Sequence, residues 1–233
     1  MTLTGWPRFD QVIHDDTSRL IPGEYAEDPD SALAGLVDSG DELNQLIRIA
    51  AITNSRLLAQ EERQSDGLSR IDLVFGVPYS RIINGSFSHA GEGARFHTPG
   101  PKGAWYCALS VDTSVLEVAY HRIRHLRETG APDEVDIPYR QFLADIHAQD
   151  FAMLGDGHPA SLACLDPNSY AASQGLGAQL RISGRGGVEY PSVRDPGGTC
   201  LAVLQAPIVS NVRRSDIYLL TVNNFSLVKV AVA

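Results

Sequence analysis

The C-terminal end of the chain constrains its fold most. Three segments there, 199–205, 216–222 and 226–232, are rich in Val, Leu, Ile and Thr, and the last two flank Asn223-Asn224. Asparagine tolerates left-handed turn conformations, so the pattern predicts three strands ending in a hairpin. Upstream, from Ile71 onward, strand, turn and short helix follow one another. Residues 140–152 read as a further strand. Asp112 is placed to cap a helix that continues through Leu116, Tyr120 and Ile123 and stops at Gly130. Asp166-Pro167 reads as another helix start, with proline in the first turn. Few helices lie between the strands, which favours an α+β fold over a doubly wound α/β one.

The first 74 residues differ from the rest. Residues 24–41 are acidic, and Ser39 with Glu42 fits a capping box. Leu43, Leu46, Ile47, Ala50, Leu57 and Leu58 then keep a helical period to near Gly67. The expectation is an N-terminal helical extension, residues 1–74, packed on a main domain of residues 75–233. At roughly 150 residues per domain, 233 residues suit one large domain or a domain with an extension.

Three segments carry candidate chemistry: Arg81 in PYSRIINGSF; Arg95, Tyr106 and Glu117 in RFHTPGPKGAWYCALSVDTSVLE; and Ser192 with Arg194 in YPSVRDPGG. The middle one joins an Arg-aromatic pair, a Pro/Gly loop, a strand ending in Tyr and a helix carrying Glu. Arg95 to Tyr106 and Tyr106 to Glu117 are each 11 residues apart. Together these segments, over roughly residues 75–210, resemble the RES family, named for its Arg, Glu and Ser. The resemblance implies a split-sheet fold like that of ADP-ribosyltransferase toxins, here following the N-terminal helical extension read above, and an activity that consumes NAD as substrate, with no prosthetic group. It also implies a toxin–antitoxin setting with an Xre-type antitoxin as partner, and functional positions at Arg81, Arg95, Tyr106, Glu117 and Ser192.

The residue types suit that chemistry. Guanidinium groups bind pyrophosphate oxygens through paired, charge-assisted hydrogen bonds, which fits Arg81 and Arg95. Nicotinamide leaves the ribose as a neutral group, so no general acid is needed, unlike ordinary glycoside hydrolysis with two carboxylates. One carboxylate, Glu117, suffices to stabilise the oxocarbenium charge as it develops. Tyr106 can stack on nicotinamide or bond a ribose hydroxyl, while its neighbour Trp105 faces the opposite side of the strand, into the core. No Gly-x-Ser-x-Gly elbow surrounds Ser192, so its expected role is a hydrogen bond to ribose or to Glu117. Arg194 and Asp195 are expected to pair within the same turn. The basic run His121 to Arg127 reads as a solvated helix face, and Gly184 to Gly187 as a turn before a strand at Val188. The rival readings are a mono-ADP-ribosyltransferase acting on a protein, and a silent module that binds NAD or the antitoxin.

Other classes are disfavoured. The net charge of −9 opposes binding to nucleic acid, which is dominated by phosphate neutralisation, though a local arginine cluster can still hold a small anion. No apolar run of about 18 residues exists, and the start lacks a basic segment followed by an apolar one, so a cytoplasmic protein without membrane contact is expected. Cys107, Cys164 and Cys200 form no CxxC or Cys/His cluster, so no metal site is expected and all three are expected to be buried. A second copy of the chain, in a homodimer, stays open as a partner.

Overall fold

The computed structural model describes residues 5–26, 68–88, 91–100 and 102–233. The expected helices of residues 27–67 lie outside them. In chain order the elements are β1 (Arg8–Pro22), a short α1 (Gly23–Ala26), α2 (Ser80–Ser88), β2 (Trp105–Ala108), α3 (Val111–Thr129), β3 (Glu134–Met153), α4 (Pro159–Cys164), α5 (Ala171–Ile182), β4 (Gly187–Pro191), β5 (Thr199–Val203), β6 (Val209–Asn223) and β7 (Ser226–Val232). Among the described residues, one seven-stranded sheet with few helices is consistent with an α+β fold.

The sheet runs β1-β2-β5-β4-β3-β6-β7, and β1 also pairs with β3. The first five strands therefore close into a ring. β3 is the long member that makes this work. One edge carries β1 along most of its length, while the other carries β6 at one end and a parallel β4 at the other. Along β3, Phe142, Ala144 and Ile146 alternate inward and are all 0% exposed, the period of a strand facing a core. Trp105 on β2 is likewise fully buried and packs with Phe142, Phe151 and the α2 residues Ile83 and Phe87. Each such side chain contributes roughly 1.5–3 kcal/mol by leaving water.

β1 corrects the sequence expectation for residues 8–22, which belong to the sheet and not to a helical extension. Local polarity hides the strand. Register shifts between Asp10 and Val12 and between His14 and Thr17 break its alternation, and Asp16 adopts φ 57 at the second. Its pairing partner lies more than a hundred residues away, which no local pattern can report.

The helix bearing Glu117 forms for reasons visible locally. Ser110 Oγ accepts the Thr113 N–H, and Gly130 ends the helix at φ 72, the left-handed cap that glycine adopts without strain. The cap is thus Ser110, two residues before the expected Asp112. The buried stripe is Val115, Ala119 and Leu126, one residue ahead of the expected Leu116 and Tyr120; Leu116 is 37% exposed. Asp166-Pro167 starts no helix: Asp166 Oδ1 accepts the N–H groups of Asn168 and Ser169 in a turn, and α5 begins at Ala171. The tail forms its three strands, with Asn224 and Phe225 both at positive φ in the final turn.

Candidate active site

A cleft of about 240 Å³ opens between α3, β1 and β2. The shift of α3 by one residue decides what faces it. Ser114, Glu117, Val118 and His121 follow at i, i+3, i+4 and i+7, so they form one helix face, and all four line the cleft. Ser114 Oγ donates to the Ser18 carbonyl, 2.8 Å away on β1, which ties this face to the sheet.

Glu117 is half-buried, and its Oε1 accepts two donors. Ser192 Oγ lies at 2.6 Å and Cys200 Sγ at 3.7 Å. Ser192 has one proton to give, and it goes to Glu117; its lone pairs receive the N–H groups of Arg194 at 3.1 Å and Asp195 at 3.0 Å. A serine held by three hydrogen bonds is a firm anchor for the carboxylate. Burial, and next the nearby Glu117 carboxylate, push the Cys200 thiol well above its usual range, so it stays protonated and can donate. The second carboxylate oxygen, Oε2, makes no hydrogen bond among the described residues.

Arg95 is 7% exposed and lines the same cleft. Its Nη1 donates to the carbonyls of Cys164 at 3.0 Å and Asp166 at 2.9 Å, and its guanidinium lies 4.7 Å from the Tyr170 ring centre. Arg95 therefore holds the loop after α4 as well as supplying charge. Tyr106 also lines the cleft, and its hydroxyl accepts the Phe96 N–H at 3.0 Å and meets His97 Nδ1 at 3.0 Å. The phenol oxygen thus fastens the loop 95–97 to β2, and burial raises its pKa far above the usual range.

Arg81 is not among the residues lining this cleft. It sits on α2, whose buried residues Ile83 and Phe87 join the Trp105 cluster, whereas α3 walls the cleft. The second arginine in the cleft is Arg19, which the sequence treatment missed. Its Nη1 donates to the Tyr106 carbonyl at 2.8 Å, its guanidinium lies 4.7 Å from the Trp105 ring centre, and its buried Nε has no partner among the described residues. Burial lowers its pKa to about 10, which still leaves it charged at neutral pH. The signal was the β1 strand itself: once residues 8–22 are extended, Arg19 lies beside Tyr106. Tyr170 and Tyr190, which were not singled out, and Cys200, expected only as a buried thiol, also line the cleft.

Arg194 and Asp195 do not pair with each other. Arg194 lies 3.4 Å from the Tyr120 ring centre and donates to the Pro167 carbonyl, and Asp195 accepts from Thr113. Arg122 and Arg124 in the basic run bond to Glu134 and Glu128. All three cysteines are buried and free. Among the described residues no group of three His, Cys, Asp or Glu side chains could hold a metal ion, and no helix is long and apolar enough to cross a membrane.

Fold and cleft together define an α+β domain whose cleft is lined by one anchored carboxylate, Glu117, by Arg19 and Arg95, and by several tyrosines. The RES domain model matches residues 69–223, more than half of the chain, and the chain belongs to the RES domain family. No curated protein matches it. One similar solved structure, the M. tuberculosis MbcT-MbcA toxin-antitoxin complex, has a chain 17% identical with a TM-score of 0.42, covering 57% of this chain and 75% of that one.

Proposed function

We propose that this protein breaks the nicotinamide–ribose bond of NAD, by hydrolysis or phosphorolysis, and acts as the toxin of a toxin–antitoxin pair, with a fold of the ADP-ribosyltransferase type. The observation that carries the reading is the bond by which Ser192, itself not among the cleft-lining residues, holds Glu117 in a cleft that Arg95 and Arg19 also line. Nicotinamide departs neutral, so the site needs no acid. It needs a fixed negative charge beside the ribose carbon, cations for the pyrophosphate, and aromatic surface for the ring. Glu117 supplies the first, with Oε1 held by Ser192 and Oε2 turned to the substrate. Arg95 and Arg19 supply the second, and Tyr106 with Tyr170 the third. Ser192 serves as an anchor for the carboxylate.

Purified protein mixed with NAD should release nicotinamide in multiple turnovers, faster with added inorganic phosphate if phosphate is the acceptor. Expression in a bacterium should drain NAD and stop growth, relieved by an Xre-type antitoxin. Transfer of label from NAD to a protein would instead identify a mono-ADP-ribosyltransferase using the same residues. No nicotinamide release under any of these conditions would leave a binding module and defeat the proposal.

A further inference from the structure

Glu117 is not the only residue of α3 that bonds to the loop after β4. One helical turn earlier, Thr113 is 1% exposed and donates its hydroxyl proton to Asp195 Oδ2 at 2.6 Å. Residues i and i+4 share a helix face, so Thr113 and Glu117 meet Asp195 and Ser192 as two rungs between one helix face and one loop.

Both ends of the first rung are rigidly held. On the helix side, Ser110 Oγ lies 2.8 Å from Thr113 Oγ1. Thr113 has given its only proton to Asp195, so Ser110 donates here, and the chain Ser110 to Thr113 to Asp195 is polarised in one direction. On the loop side, Ser192 N–H donates to the Gly198 carbonyl at 2.8 Å and Gly198 N–H to the Asp195 carbonyl at 2.9 Å. Gly197 makes the turn at φ 93. A Cβ on Gly198 would lie 2.5 Å from Thr113 Oγ1 and 2.6 Å from Asp195 Oδ2, so the rung occupies the space a side chain would need.

The two rungs are linked through one backbone group. The Asp195 N–H that donates to Ser192 Oγ belongs to the residue whose carboxylate Thr113 holds. We propose that Thr113, Asp195 and Gly198 are positioning residues that set where Ser192 presents the Glu117 carboxylate. This rests on Glu117 acting on the substrate as described above. A glutamate side chain has three soft torsions, and one hydrogen bond from Ser192 fixes it only while Ser192 itself is fixed. Misplacement of a reacting group by about 1 Å can cost ~10²-fold in rate.

Thr113→Val keeps shape and burial and removes the donor. The expected result is a kcat for nicotinamide release lowered roughly tenfold or more with KM changed less than about twofold. Thr113→Ser restores the rate, and Thr113→Val adds no further loss to Ser192→Ala, because both break the same path. In the absence of NAD, amide hydrogen exchange at Arg194 and Asp195 should quicken in Thr113→Val, which reads the linkage even if the wild type released no nicotinamide. Gly198→Ala, which forces the rung apart, should reproduce the effect and serves if Thr113→Val does not fold. An unchanged kcat, a loss that Thr113→Ser does not repair, an additive loss with Ser192→Ala, or unaltered exchange would each overturn the proposal.

Discussion

Replacing Glu117 with glutamine removes one charge while conserving shape. A glutamine amide oxygen can still accept the Ser192 proton that Oε1 receives at 2.6 Å. What changes is the second oxygen, which becomes an NH₂ group, so the carboxylate charge is lost from a residue that lines the cleft. Opposite unit charges roughly 4 Å apart in an effective dielectric of ~20 attract by about 4 kcal/mol. If roughly half a charge develops at the ribose carbon, losing the carboxylate removes about 2 kcal/mol, and turning an amide donor toward that carbon adds to the loss. At about 1.4 kcal/mol per decade, kcat should fall by ~10²-fold or more. KM should move little, because the interaction is made mainly in the transition state. Steady-state nicotinamide release gives both constants, and thermal melting should show the variant folded. A Glu117→Gln protein that releases nicotinamide at the wild-type rate would refute the catalytic assignment.

Arg95→Ala should raise KM for NAD more than it lowers kcat, and also lower Tm, because the carbonyls of Cys164 and Asp166 lose their donor; leaving buried acceptors unpaired costs about 1–3 kcal/mol each. An unchanged Tm would show that Arg95 does not hold the loop. Burial raises the thiols of Cys107 and Cys164 from 9.0 to about 11, so the folded state keeps protons that the unfolded chain releases. Their stabilisation is complete below about pH 9 and declines above it, so Tm should begin to drop as pH rises through about 9, before Arg19 reaches its midpoint at about 10; calorimetry showing a flat profile there would contradict this burial. Deleting residues 1–70 removes β1 and opens the ring of strands, so the remainder should be insoluble or unfolded; a soluble 71–233 protein with unchanged Tm would show β1 to be dispensable.

The motif residues and the elements that carry them were largely legible, because their signals are local. Glu117 sits on a helix that Ser110 and Gly130 delimit, and Tyr106 on a short apolar strand beside the buried Trp105. The C-terminal hairpin announced itself through Asn223-Asn224. Even there, the exact face was not legible: a shift of one residue in the buried stripe turns α3 by about 100°, and only packing against β1 sets it.

What the chain's order alone determined, then, was which residue types and which local elements exist. Tertiary structure decided which of them meet. Arg19 reaches the cleft and Arg81 does not, because β1 pairs with a strand far along the chain and α2 packs into another cluster. Ser192 and Asp195 find Glu117 and Thr113 across separations of 75 and 82 residues. Such contacts follow from closing the sheet, whose hydrogen bonds join strands distant in sequence, and periodicity within a short window carries no information about distant partners.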